Sequence, residues 1–126
     1  MEHISGVQHI GLPVRSMEET LAFYHKLGFE TAYHTVNDGQ PVAFLRGYGL
    51  TIEAYQTPEA TGKPGAIDHI AFDVDDVDAV WQEAAQLGLQ PIDPAVRFLP
   101  FWEKGVRFFT VTGPNAEKLE FSQMLK

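Results

Sequence analysis

The chain repeats itself, and the repeat restricts the fold more than any other feature. His9 and His69 stand 60 residues apart, and the same offset carries Val7 onto Ile67, Ile10 onto Ile70, Val14 onto Val74, Glu18 onto Asp78, Leu27 onto Leu87 and Gly28 onto Gly88. A fixed period of this length marks a supersecondary unit used twice. Each copy begins with a histidine inside an apolar run, in "SGVQHIGLPV" from Ser5 and in "GAIDHIAFDV" from Gly65. A helical pattern follows. In the first copy Ser16 and Glu19 form a capping box, and Gly28 takes the left-handed position after the last turn. In the second, Val77, Val80, Trp81, Ala84 and Leu87 recur at helical spacing before Gly88.

Beyond each glycine the period becomes that of strands. The first copy continues as "FETAYHTV", "VAFLR" and "LTIEAYQ", with turns at "NDGQ" and "GYG". The second continues as "LQPIDPA", a long loop "VRFLPFWEKG", then "VRFFTVT", a turn at "GPNA" and "KLEFSQ". "TPEATGKPG", residues 57–65, has a linker's composition. The expected architecture is α+β: two βαβββ modules, residues 5–56 and 66–124, in one domain covering 1–126. A lone module has an unfinished sheet and little core, so the two must pack together.

The last strands also match, now at an offset of 67, aligning Glu53 with Glu120 and Gln56 with Gln123. Each module therefore brings one histidine and one glutamate. Strand alternation sets His9 opposite Ile10, Leu12 and Val14, and His69 opposite Ile70, Phe72 and Val74. Glu53 lies between Ile52 and Ala54, and Glu120 between Leu119 and Phe121. The greasier face carries the helix, and the histidines and glutamates point to the other side. Converging carboxylates without cations repel in a low-dielectric cleft, and a divalent metal resolves that conflict. His3, His25 and His34 have no repeat partner and receive no role.

Charge narrows the partners. With nine Lys plus Arg against 17 Asp plus Glu, a net charge of −8 and no basic cluster, neither nucleic acid nor an anionic membrane surface is expected. No apolar run approaches the roughly 18 residues of a membrane span. "MEHISGVQHIG" lacks the basic and apolar regions of a signal peptide. Cysteine is absent, which removes disulfides, thiolate ligands and a cysteine nucleophile, and fits a cytoplasmic protein. The acidic run "DVDDVD", Asp73 to Asp78, reads as a strand-to-helix turn in which Asp75 or Asp76 caps the helix. An EF-hand would need a glycine at its sixth position and a glutamate at its twelfth, and has neither.

With these residues placed, the chain resembles the vicinal oxygen chelate superfamily, which includes glyoxalase I, fosfomycin- and bleomycin-resistance proteins, methylmalonyl-CoA epimerase and extradiol dioxygenases. The stretches that carry the resemblance are "HIGLPVRSMEETLAFYHKLGF", "TIEAY", "DHIAFDVDD" and "GPNAEKLEF". It implies a cupped, barrel-like eight-stranded sheet with helices outside, a metal within it, and a homodimer. His9, Glu53, His69 and Glu120 occupy the ligand positions, and a complete His–Glu–His–Glu set looks like bacterial glyoxalase I (lactoylglutathione lyase). The epimerase usually carries glutamine where Glu53 stands. The dioxygenases match only His9, His69 and Glu120, and drug-sequestering members generally lack the set.

Two imidazoles and two carboxylates suit a borderline divalent ion, Zn²⁺ or Ni²⁺ first, with Co²⁺ and Mn²⁺ next. As a Lewis acid it would stabilise the enediolate formed when a proton leaves carbon beside a carbonyl. The resemblance implies Glu120 as the base, with Glu53 its symmetry-related partner, and a hemithioacetal of glutathione with methylglyoxal as substrate. The pattern also departs from glyoxalase I. Pro13 stands near the place of its usual glutathione-binding arginine, with Arg15 two further on, and "GPNA" replaces the common "DPNG" turn. These departures keep open an epimerase or other enolate chemistry on a non-glutathione substrate. The acidity keeps open a metal-free protein that sequesters a cationic drug.

The loop Val96–Arg107 has two readings. In one, Phe98, Phe101 and Trp102 complete the core or a dimer interface. In the other, the loop is a lid that offers Arg97, Lys104 or Arg107 to an anionic substrate. Tyr55 and Phe44 are candidates to line the pocket.

Overall fold

The computed structural model describes residues 1–63, 65–112 and 118–126. The linker's Pro64 and the expected turn "GPNA" lie outside the described residues. Among the described residues there are nine strands and two helices. In order they are β1 (Ile4–Val14), α1 (Met17–Lys26), β2 (Glu30–Asn37), β3 (Gln40–Gly47) and β4 (Leu50–Gln56), then β5 (His69–Val74), α2 (Val77–Gln86), β6 (Gln90–Pro91), β7 (Arg97–Leu99), β8 (Val106–Thr112) and β9 (Lys118–Met124). The α+β class and the two βαβββ modules expected from the repeat are borne out. The chain divides into two compact units, His9–Asp68 and Met1–Gln8 with His69–Lys126.

The unit His9–Asp68 is a sheet in the order β2-β3-β4-β1, with β4 parallel to the last residues of β1 and antiparallel to β3. Its core joins Met17, Leu21 and Tyr24 of α1 to Leu12, Val14, Ala43, Leu45, Ile52 and Ala54. These strand positions all have the parity opposite to His9 and Glu53. The helix therefore covers the face that alternation assigns to it.

The unit containing His69–Lys126 repeats the plan in the order β5-β9-β8-β6, with β9 parallel to β5. Val77, Val80, Trp81 and Ala84 of α2 pack on Phe72, Val74, Phe109, Val111, Leu119 and Phe121. Residues 1–8 join this unit: the Asp75 amide donates to the His3 carbonyl, and Gln8 Nε2 donates to the Asp73 carboxylate at 2.6 Å.

The helix ends are built alike. Ser16 and Asp76, again 60 apart, accept from the amides of Glu19 and Ala79. Gly28 and Gly88 turn the chain at φ 99° and 72°. The Phe29 and Leu89 amides then reach back to the Tyr24 and Ala84 carbonyls, so both helices end in a Schellman motif. A further pair was not anticipated. Gln56 Oε1 accepts the Met17 amide and Gln123 Oε1 accepts the Val77 amide, each at 2.9 Å. The first helical N–H has no partner inside its helix, so the last strand of each module supplies one.

The second module differs where its sequence is longer. "VRFLPFWEKG" is not wholly a loop: Arg97–Leu99 form β7, antiparallel to β8. The chain reverses between them through Trp102 at φ 63° and Gly105 at φ 94°. A three-residue strand carries no periodic signal long enough to be read beforehand.

Candidate functional site

Each unit brings its own histidine and glutamate side by side. In the first, Glu53 on β4 lies in register with Gly11 on β1, two residues beyond His9 on the same face. Gly11 has no side chain, so the carboxylate can lean along β1, and Glu53 Oε1 lies 3.4 Å from His9 Nε2. In the second, Glu120 on β9 is in register with Ala71 on β5, two residues beyond His69. Ala71 leaves nearly the same room, and Glu120 Oε1 lies 3.7 Å from His69 Nε2. A small residue between histidine and glutamate is thus part of the repeated device.

The donor sets fit a divalent ion. Two ligands each about 2.0–2.1 Å from one ion, at tetrahedral or octahedral angles, stand about 2.8–3.4 Å apart. The first pair already has that spacing, and the second is a few tenths of an ångström wider. Imidazole nitrogen with carboxylate oxygen is the donor chemistry of borderline ions rather than of Ca²⁺ or Cu⁺.

Registers extend each face into rows. Glu53 faces Phe44 on β3, and Phe44 faces Tyr33 on β2. The Phe44 ring meets the His9 ring edge-on, with centroids 5.4 Å apart. One step towards the other end of the strands, Thr51 faces Arg46, and Arg46 faces Glu30. Tyr55 lies one step the other way, facing Val42 and in register with Pro13. In the second unit Glu120 faces Thr110, and His69 is in register with Lys118. Of the expected pocket residues, Phe44 and Tyr55 therefore share the face of His9 and Glu53.

The expected residues of the long loop are distributed differently. Arg97 lies over the Phe108 ring at 5.4 Å from its centroid, and its Nη1 is 3.5 Å from Asp93 Oδ1. Phe108 has the parity of Thr110, so Arg97 is on the Glu120 face of its unit but is already engaged. Arg107 has turned away from that face, donating to both Asp78 oxygens at 2.7 and 2.8 Å. That bidentate pair holds the Asp78 carboxyl below its ordinary value. Phe101 is buried, Trp102 half-buried, Phe98 and Lys104 exposed. Only Phe101 thus behaves as core.

Arg15 lies near the place of the glutathione-binding arginine but is committed to the linker. Its Nε donates to the Ala60 carbonyl at 3.1 Å and its Nη2 to the Thr61 carbonyl at 2.8 Å. Arg46 and Lys118 lie on these same faces of their own units. The signal for both was parity, two residues from Phe44 and from Glu120 respectively.

Comparison with known proteins agrees with these geometries at the level of family and fold. A family model described as the glyoxalase/bleomycin resistance protein/dioxygenase superfamily matches residues 6–121. The uncharacterized protein YwbC of Bacillus subtilis is 27% identical over 93% of this chain and 96% of its own length. The crystal structure of methylmalonyl-CoA epimerase from Mycobacterium tuberculosis superimposes with a TM-score of 0.81 at 20% identity, covering 98% of this chain and 91% of that one. The Mn(II)-bound glyoxalase from Novosphingobium aromaticivorans gives 0.65 at 21% identity, covering 96% of this chain and 39% of that one. At these identities the structural likenesses establish the fold. No helix among the described residues is long and apolar enough to cross a membrane.

Proposed function

The chain belongs to the glyoxalase/bleomycin resistance protein/dioxygenase superfamily, and from that premise we propose that it is a metal-dependent enzyme of the glyoxalase I type, moving a proton between neighbouring carbons of a small carbonyl substrate. The observation that supports this reading is the recurrence of a histidine–glutamate pair, at 3.4 and 3.7 Å, in both units. His9, Glu53, His69 and Glu120 would together hold one divalent ion, Zn²⁺ or Ni²⁺ first and Co²⁺ or Mn²⁺ next. When bound, such an ion polarises a carbonyl and offsets the negative charge that develops beside it.

The chain's own residues do the rest. Glu120 takes the proton from one carbon through a carboxylate oxygen and returns it to the next, with Glu53 as its counterpart. Phe44 and Tyr55 give the substrate an apolar wall, and Phe44 also fixes the plane of the His9 ring. A functional homodimer in the cytoplasm completes this reading.

A second reading, epimerisation or related enolate chemistry on a non-glutathione acyl substrate, is favoured by Arg15. Its guanidinium is spent on the Ala60 and Thr61 carbonyls rather than held out to a glutathione carboxylate.

The test starts with metal analysis of protein purified without chelators or metal-affinity resin, beside His9→Ala and Glu120→Gln. Both variants should lose the bound ion. Turnover of the methylglyoxal–glutathione hemithioacetal by loaded protein supports the first reading. Thiol-independent entry of solvent deuterium into an acyl-CoA supports the second. Protein that takes up no Ni²⁺, Co²⁺ or Zn²⁺ refutes both and leaves a ligand-sequestering cleft.

A further inference from the structure

The strand beside Glu120 carries a buried hydroxyl on the same face. Thr110 on β8 is in register with Glu120 on β9. Its amide donates to Asp93 Oδ2 at 2.8 Å, and its carbonyl accepts the Ile92 amide at 2.9 Å. Both backbone groups therefore point away from β9. In an antiparallel ladder this makes Thr110 and Glu120 a non-hydrogen-bonded pair, the kind whose Cα atoms stand about 4.5 Å apart and whose side chains are closest. The two side chains leave the sheet together, because Phe109 and Val111, of opposite parity, lie in the helix-side core.

The surroundings hold Thr110 in place without using its hydroxyl. β6 ends at Pro91, and beyond it the Asp93 carboxylate stands in for a strand carbonyl as acceptor of the Thr110 amide. Thr110 is 8% exposed, yet among the described residues its hydroxyl makes no hydrogen bond. Burying a hydroxyl without a partner is unfavourable, and valine has nearly the same shape without that cost. The repeat-related position is Phe44, which faces Glu53 as Thr110 faces Glu120. Duplication therefore does not account for the hydroxyl. Phe108, two residues away on the same face, gives it an apolar flank and already carries the Arg97 guanidinium.

We infer that Thr110 binds an uncharged oxygen of the substrate, a hydroxyl or carbonyl oxygen on a carbon that Glu120 serves. The inference deepens the proposed function and rests on it for the part Glu120 plays. Thr110 is a specificity-determining residue that leaves the proton transfer to the glutamate. When a proton moves between neighbouring carbons, an oxygen on one of them changes between carbonyl and hydroxyl. The threonine hydroxyl offers one donor and two acceptor sites, so it pairs with that oxygen in either form. An analogue with hydrogen in its place leaves the threonine unpaired.

The test deletes the hydroxyl from the protein and from the ligand in turn. Lactate and propionate, which differ by one hydroxyl, are titrated into the wild type, Thr110→Val and Thr110→Ser while amide shifts are followed. Metal content is measured for each protein, and far-UV circular dichroism confirms that each is folded. The wild type should prefer lactate. Thr110→Val should lose about 3- to 10-fold of that preference, with its affinity for propionate unchanged, and Thr110→Ser should keep it. A merely structural role would weaken both ligands alike, and that result overturns the inference. So does equal discrimination by the wild type and Thr110→Val, or a wild type with no preference. Discrimination that depends on Thr110 in a protein that turns over no hemithioacetal upholds the inference and refutes the glyoxalase reading alone. Turnover of the hemithioacetal with discrimination unaltered in Thr110→Val does the reverse.

Discussion

Replacing Gln123 by alanine removes a single acceptor from the first amide of α2. The Val77 side chain is fully buried, and its N–H donates to Gln123 Oε1 at 2.9 Å. Helix geometry offers that amide no other backbone acceptor, and the packed side chain restricts the approach of water. Leaving a buried donor unpaired costs about 1–3 kcal/mol, and losses of N-terminal capping acceptors run about 0.5–2 kcal/mol. A value near 1.5 kcal/mol satisfies both ranges, equivalent to a fall in Tm of about 5 °C for a domain of this size. Gln56→Ala removes the same bond from the Met17 amide and should cost a similar amount. The assay is equilibrium urea unfolding followed by fluorescence. Trp81 is a local reporter, since it lies on α2 with its ring 4.9 Å from Phe109. Gln82→Ala, at an exposed position of α2, is the control and should stay within about 0.5 kcal/mol of the wild type. If Gln123→Ala unfolds at the same urea concentration as Gln82→Ala, the glutamine is an incidental contact.

Two further perturbations read other parts of the fold. Gly88→Ala should cost about 1 kcal/mol, since φ is 72° but nothing lies within 4 Å of the added Cβ. Gly28→Ala should cost more, because φ 99° lies further from the left-handed minimum and the added Cβ would push the Tyr48 hydroxyl off the Leu27 carbonyl, and their urea midpoints give the order. Asp78→Asn tests the surface pair with Arg107. The Asp78 carboxyl is depressed when folded, mainly by its hydrogen bonds to Arg107, so its stabilisation is present above the ordinary carboxylate pKa and lost as pH falls through the folded value. The small gap in Tm between wild type and variant should exist at neutral pH, close on acidification and shrink with added salt. A gap that widens towards acid would contradict that sign.

The repeat made the site legible because period-two alternation is strict. Once His9 is placed opposite Leu12 and Val14, the face of Glu53 follows from Ile52 and Ala54, and the cores agree. Helix ends were readable for the same local reason: Ser16, Asp76, Gly28 and Gly88 act within a few residues of themselves. What escaped depends on pairing between distant strands. Gln56 and Gln123 were aligned without a role, because their partners lie 39 and 46 residues away. Arg107 looked available in sequence and is held by Asp78, 29 residues earlier. β7 escaped because three residues carry no period.

The duplication is imperfect where chemistry would make it so. Both glutamates have a small neighbour on one side, Gly11 or Ala71, and a closely paired histidine. On the other side the modules part: Glu53 faces the ring of Phe44, whereas Glu120 faces Thr110, a hydroxyl whose backbone is itself pinned by the Asp93 carboxylate at 2.8 Å. A phenyl ring offers a carboxylate no hydrogen bond, and a threonine offers one donor and two acceptor sites. Two glutamates that were equivalent at duplication therefore sit in unequal surroundings. A symmetric pair of bases would serve a reaction whose two carbons are interchangeable. An unequal pair suits one in which a proton leaves one carbon and arrives at a different one.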